Sequence, residues 1–260
     1  MANFVLGYSD SSLSASYSGG TWRNNLDETM LNNKLITAAA KTLDLTTLVL
    51  DITLTSIKDI QVLGICNHNL TTSGTYQWQC FSDAGRTVNV YDSGATNPYS
   101  YDEGLLHKTT CDTIDNPVTD VYWRLTITDA TNTDGYVKIG RLFIGKRFTT
   151  VDNMNYGLKH SIDTSNTVIE KSSVGIESVI QNVRLRGAVF TNKHVTYAKG
   201  EEYYKMQLLM GIGEDVLYEF DPDDKQNGIH TFLGRNESIT PLDYPLYNLN
   251  DIAFALKEVV

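Results

Sequence analysis

The sequence is poor in the features that announce an enzyme. Its 260 residues hold three cysteines, Cys66, Cys80 and Cys111. The number is odd and no CxxC spacing occurs. Cys66 and Cys80 fall in strand-like runs, where a free thiol behaves as a small buried hydrophobe. A disulfide framework is not expected. Basic charge is short: 21 Lys and Arg stand against 31 Asp and Glu, for a net charge of -10. Phosphate recognition needs clustered cations, and the cations here are scattered along the chain, with Lys146 and Arg147 a rare adjacent pair. Nucleic acid and anionic membranes are therefore not expected partners. No run approaches the ~18 apolar residues of a membrane-spanning helix. The first ten residues carry neither the basic nor the apolar region of a secretion signal, so the expectation is folding in a cytoplasm.

Reactive motifs are missing too. The five histidines, His68, His107, His160, His194 and His230, show no metal-ligand spacing, and HExxH does not occur. There is no GxSxG. Gly211 and Gly213 flank one residue at a helix end rather than opening a phosphate-binding GxGxxG. No spacing picks out a carboxylate pair for glycoside cleavage. The reading is of a non-enzyme that uses no cofactor.

What is present is a folded β-rich chain. Hydrophobic residues make up 41% and aromatic residues 10%. A chain of this length buries roughly 70–75% of its unfolded surface. Leu48, Leu50, Ile52 and Leu54 alternate with Val49, Asp51, Thr53 and Thr55, the signature of a strand with one buried face. Ile60, Val62, Leu63 and Ile65 mark a second strand. Tyr76, Trp78 and Cys80 lie on one side of a third. Residues 88–91 form a short strand, and Val121, Trp123, Leu125 and Ile127 the clearest one. Residues 1–25, rich in Ser, Gly and Asn, read as a loop arm anchored by Trp22. Residues 92–117 read as a long irregular segment of the kind that carries function. Many short strands with frequent turns predict a β-sandwich or jelly roll over residues 1–148. The stretch DGYVKIGRLFIGKRF at 134–148 closes it, as a strand pair or one strand broken at Gly140 and Gly145.

Residues 149–260 read differently. Strand-like runs at 158–162, 167–170, 183–190, 216–220, 229–233 and 249–260 surround one helix at 201–210. Tyr203, Met206, Leu209 and Met210 share its apolar face, and Glu201 and Glu202 suit its N-terminal dipole. Gly187 is placed as a bulge, with Arg184 and Arg186 pointing outward. The expected result is a smaller α+β unit, a β-sheet with one helix packed on it.

Candidate contact residues are few. His68, in the Asn67–Asn69 turn, sits where sandwich loops cluster. Trp22, Tyr99 and Tyr101 lie on or near loops, where aromatic rings serve sugar stacking or protein contact. Asp221, Asp223 and Asp224 could offer oxygens to calcium but lack the EF-hand order, and a hairpin turn fits them better. Asp10, Asp92 and Asp102 are further cation candidates that nothing in the sequence brings together.

Two groups of motifs carry a resemblance. IQVLGICNHNL at 60–70 is followed by YDSG at 91–94. YVKIGRLFIGK at 136–146 is followed by NMNYG at 153–157. With FDPD at 220–223 and FLG at 232–234, the chain resembles virion proteins of tailed bacteriophages whose N-terminal half is a discoidin-like or carbohydrate-module jelly roll. The resemblance implies a structural component of a phage tail, at the tail tip, baseplate or fibre attachment. It would be located in the virion and joined to other tail proteins and to copies of itself. The alternative is a carbohydrate-binding module for a host-surface glycan, with Trp22, His68, Tyr99 and Tyr101 as first contacts.

Overall fold

Strand β1 (Val5–Tyr8) organises the molecule, and all four of its residues are buried. The computed structural model describes residues 3–101, 107–154, 157–163, 168–171, 177–180, 184–224 and 228–259. After β1 the N-terminal half contains β2 (Ser16–Gly19), β3 (Ala40–Lys41), β4 (Leu48–Thr53), β5 (Ile60–His68) and β6 (Thr75–Phe81). It continues with β7 (Asn89–Asp92), β8 (Lys108–Val118), β9 (Tyr122–Thr128), β10 (Lys138–Ile139) and β11 (Arg141–Phe148). The C-terminal half holds β12 (Lys159–Asp163), β13 (Val168–Lys171), β14 (Glu177–Ile180), β15 (Leu185–Thr196), helix α1 (Tyr197–Met210), β16 (Asp215–Glu219), β17 (Phe232–Asn236), β18 (Asp243–Leu246) and β19 (Leu249–Glu258). The fold is mainly β, with a sandwich followed by a sheet that carries one helix.

The sandwich packs β2-β4-β9-β6-β7 against the β11-β5-β8 part of a larger sheet. The alternation read from the sequence does this work. Leu48, Leu50 and Ile52, Tyr76, Trp78 and Cys80, and Trp123, Leu125 and Ile127 all face Leu63, Ile65, Leu142 and Ile144 in one core. Each large side chain fully buried there contributes about 1.5–3 kcal/mol.

The larger sheet does not stop at residue 148. It runs β12-β15-β19-β17-β16-β1-β11-β5-β8. β1 pairs antiparallel with β11 on one side, Leu6 opposite Phe148, and with β16 on the other, Leu6 opposite Tyr218. Residues 5–8 are thus a shared central strand, not part of a loop arm. The Ser-rich run after Tyr8 concealed a four-residue apolar strand that is buried on both faces. The 149–260 unit begins where β11 ends, but its sheet is continuous with the sandwich.

On one face of this sheet, Phe4, Leu6, Phe148, Phe190, Val216, Tyr218 and Phe254 pack beneath Tyr203, Met206 and Met210 of α1. The opposite face curls until β8 lies against β17. A third core of Val5, Val62, Cys66, Cys111, Phe143, Leu217 and Leu233 fills the curl. Glycines make that curvature sterically feasible. A Cβ at Gly7 would stand 2.6 Å from the Phe143 ring, and one at Gly64 would stand 2.5 Å from Leu217.

Several local expectations change. Residues 108–118 are strand β8, not irregular chain. Their Thr- and Asp-rich sequence hid buried positions at Thr109, Thr110, Cys111 and Asp112. Helix α1 starts at Tyr197, four residues before the expected start, so Glu201 and Glu202 lie past its first turn. Leu209 points outward, 66% exposed, although Tyr203, Met206 and Met210 are buried as expected. Gly187 is in regular register, and the irregularity falls between Asn192 and Val195. Arg186 is not outward: it wraps Glu258 and donates to the carbonyls of Ile229, Thr231 and His107.

Candidate functional site

Three of the four sequence candidates meet in one place. His68 ends β5, and Tyr99 and Tyr101 follow the β7 turn. Tyr101 stacks edge-on against His68 with ring centroids 5.5 Å apart, and Tyr99 is 6.3 Å from Tyr101. Their hydrogen bonds form a closed relay. His68 Nδ1 accepts from the Leu70 amide at 3.1 Å, which leaves the ring proton on Nε2. Nε2 then donates to the Tyr101 hydroxyl, 3.1 Å away, and that hydroxyl donates to the Thr109 carbonyl at 2.7 Å. Burial, reinforced by the charges of Lys108 and Lys138, pushes the His68 pKa down to about 3, so the ring stays neutral.

Tyr99 places its hydroxyl 2.5 Å from the Cys111 carbonyl and 3.1 Å from Glu219 Oε2. Glu219 also accepts from the Thr231 hydroxyl at 2.8 Å. Burial raises this carboxyl to about 7, with the hydrogen bonds from Thr231 and Tyr99 working against it. His68 and Tyr99 are each only 2% exposed. The cluster joins β8 of the sandwich to β16 of the C-terminal sheet, and Tyr99 and His68 offer no face to an external ligand.

The aspartates are likewise committed. Asp10 accepts from the Ser12 and Ile144 amides and from Arg141 Nη2 at 2.6 Å. Arg141, 1% exposed, also pairs with Asp215, which in turn holds Arg235. Burial alone would depress the guanidinium, but the two carboxylates outweigh it and hold its charge. Asp92 accepts from Gln77 and Gln79. Asp102 lies outside the described residues, as do residues 225–227 of the 221–228 turn. The Asp224 amide closes that turn on the Asp221 carbonyl at 3.0 Å. No group of three or more metal-ligating side chains occurs among the described residues.

Trp22 stands apart from the other three, and beside it the surface opens. Residues Gly20, Thr21, Thr42, Thr46, Thr47, Leu48 and Val49 line a cleft of about 210 Å³. Gly19 and Gly20 take positive φ angles of 98° and 73°, a turn that favours glycine. A Cβ at Gly20 would lie 2.6 Å from Leu48 and 3.0 Å from the Trp22 ring, so a larger residue would have to displace one of them. Trp22 is half-buried on the sandwich core, and its Nε1 donates to the Gly19 carbonyl at 2.8 Å. Thr42 is internally satisfied: its hydroxyl donates to the Asp44 carbonyl and accepts from the Val137 amide. Thr46 and Thr47 are exposed. The Thr46 hydroxyl donates to Asp44 at 2.6 Å and keeps its acceptor capacity. Thr47 shares its hydroxyl proton with Thr128 at 3.2 Å. No lining side chain is titratable, so the cleft can bind but holds no acid–base pair. The threonines were missed because Thr and Ser are common throughout the chain. The available signal was a Gly-Gly-Thr run directly before an isolated tryptophan.

Fold and cleft together define a β-sandwich module with a small hydroxyl-lined surface site. No family model and no curated protein matches the sequence. Among solved structures, the family 32 carbohydrate-binding module of Clostridium perfringens NanJ, in complex with galactose, is 17% identical. It covers 54% of this chain and 99% of its own, with a TM-score of 0.39. The lectin-binding domain of lectinolysin, complexed with Lewis b, is 7% identical over 54% of this chain and 98% of its own, with a TM-score of 0.42. Chitosan-binding module 1 of a Paenibacillus chitosanase/glucanase is 13% identical over 54% and 100%, at 0.42. Likeness at this level carries no argument about what this chain binds.

Proposed function

We propose that the chain is a non-catalytic carbohydrate-binding module that takes a glycan in the threonine-lined cleft beside Trp22. One observation carries the reading. A sugar ring presents an apolar face and a rim of hydroxyls; the cleft is lined by exposed threonine hydroxyls with no titratable group, and its lining residues Gly20 and Thr21 lead directly into the part-exposed Trp22. Calorimetric titration with galactose and with host-surface polysaccharide tests it. Trp22→Ala is expected to lower affinity at least roughly tenfold, the cost of one lost stacking contact of ~1.4 kcal/mol. Tyr101→Ala, distant from the cleft, should leave the affinity unchanged. Wild-type affinity in Trp22→Ala, or silence toward every glycan tried, removes the reading.

A second reading has its own observation. On the outer side of α1, Tyr204 and Leu208 are 51% and 69% exposed, just past its end Ile212 is 54% exposed, and Tyr244, Leu246 and Tyr247 are exposed on and after β18. The Tyr197 amide donates to the Asn248 carbonyl, which brings helix and hairpin together. An exposed apolar helix face suits protein assembly. It supports a structural role in a phage tail, in contact with copies of this chain or with other tail proteins. A strictly monomeric chain with no affinity for tail proteins in a pull-down would count against it.

A further inference from the structure

We infer that the outer face of the small sheet formed by residues 22–23, 40–42 and 137–139 binds an anionic group. Resting on the glycan reading above, the ligand class is a saccharide bearing carboxylate or sulfate.

The sheet is built from three short segments. Trp22 bridges Thr42, the Arg23 amide donates to the Lys41 carbonyl at 3.0 Å, and Lys41 pairs with Lys138. Ala40, Thr42, Val137 and Ile139 are buried. Successive residues of a strand point to opposite faces, so Arg23, Lys41 and Lys138 all point outward in a row. Each is partly exposed. Like charges directly opposite one another destabilise a sheet. A chain with 31 acids could neutralise them, yet none of the ion pairs among the described residues involves Arg23, Lys41, Lys138 or the nearby Lys108.

The cations are also held in place. Arg23 donates from Nε to the Thr42 carbonyl at 3.2 Å, and its guanidinium lies 4.2 Å over the Tyr136 ring. Lys41 Nζ lies 5.2 Å from the same ring. Lys138 Nζ donates to Asn67 Oδ1 at 3.0 Å. Burial, then the charge of Lys41, lowers the Lys138 pKa; Asp134 opposes this and Lys108 adds to it. Asp134 is the acid that faces the row, and the Asn69 amide holds it at 2.8 Å. Fixed, mutually repelling and half-desolvated cations gain most from an anion that arrives from outside, because little ordering remains to be done. Nucleic acid is disfavoured as the source of the anion by the net charge of -10 around so small a cationic row.

The test titrates the full chain with polygalacturonate, with its fully methyl-esterified uncharged form, with galactose and with duplex DNA, at low and at physiological salt. The charged polysaccharide should bind at least roughly tenfold tighter than its ester, with the preference shrinking as salt rises. Lys41→Gln/Lys138→Gln should abolish the preference and, by relieving repulsion, raise the melting temperature of the free protein slightly. Arg23→Gln is the second variant and should act in the same direction. Equal binding of the charged and esterified polymers overturns the inference, and so does equal binding of DNA. If neither polymer binds while galactose does, only this inference falls. If galactose is silent too, the glycan reading falls with it.

Discussion

The two halves of the chain use similar strands and finish their surfaces differently. In the sandwich, inward Leu50, Ile52, Trp123 and Leu125 have outward neighbours of the opposite character. Asp51, between Leu50 and Ile52, is held by Arg124 at 2.7 Å and by Arg86 at 3.3 Å. In the C-terminal half, α1 covers the sheet with Tyr203, Met206 and Met210 and then shows a second apolar surface to the outside through Tyr204 and Leu208. The sandwich exposes apolar side chains too, Leu43, Val49, Val88 and Val90 among them, but its outward Asp51 is neutralised in place, whereas the helix shows an apolar outer face. Between the two halves lies β1, which belongs to both, so the difference is one of surface and not of separate folding.

Arg141→Ala attacks that shared region most severely. It would leave Asp10, from the N-terminal half, and Asp215, from the C-terminal half, buried without their common cation. Removing one partner of a buried ion pair costs about 3–5 kcal/mol. Urea unfolding can be followed in each half at once, because Trp22, Trp78 and Trp123 all lie before residue 148 and α1 lies after it. A shared sheet predicts coincident fluorescence and circular-dichroism transitions, both shifted by the substitution. Two separated transitions would make the halves independent units.

Glu219→Gln sharpens the comparison at the seam between β8 and β16. The folded carboxyl titrates near 7, and the unfolded one near its ordinary 4.5. Between these values the folded state binds more protons, so its stability falls as pH rises through the window, by at most ~1.4 kcal/mol per pH unit. Buried His68 and the more exposed His160, which is only partly desolvated, act in the opposite sense. Burial lowers their pKa values to about 3 and 4, so their contribution is present above 6.5 and is lost as pH falls. Wild type should therefore be most stable near neutrality or slightly below. Glu219→Gln should match wild type at pH 5 and exceed it at pH 8, read as melting temperature against pH. A constant offset at all pH values would mean that Glu219 is already ionised in the fold.

The sandwich was legible because its strands alternate strictly: residues 48–54, 75–81 and 121–128 each place a run of large apolar side chains on one face. β1 and β8 were not. β1 is four residues long and precedes a serine-rich run, and β8 places Thr109, Thr110 and Asp112 in the interior, where the Thr110 hydroxyl accepts from the Ile65 amide, distant in sequence. The site was less legible. Trp22 was read only as the anchor of a loop arm and as one of four contact candidates, and His68, Tyr99 and Tyr101 look identical in sequence whether they face solvent or a neighbouring sheet. Burial decided it, through contacts such as Tyr99 with Glu219, 120 residues away. The helix misled for a related reason. Residues 203–204 and 208–210 are apolar on adjacent faces, so periodicity alone could not say which of Leu208 and Leu209 would be covered; both are exposed.

That ambiguity gives the smallest expected effect on stability and the most direct test of the open surface. Tyr204→Ser/Leu208→Ser alters only side chains that are more than half exposed, so the unfolding free energy should move by no more than about 0.5 kcal/mol per site. Met206→Ala, between these two positions on the covered side, removes a buried side chain and should cost about 2–5 kcal/mol. Light scattering across a concentration series then separates fold from association. If the outer face of α1 is a contact surface between copies, the double variant stays monomeric at concentrations where wild type associates, while Met206→Ala associates as long as it stays folded. If wild type and the double variant scatter identically, the contrast between the two halves is one of composition and not of assembly. The apolar outer face of α1 would then have to be explained by a different protein partner.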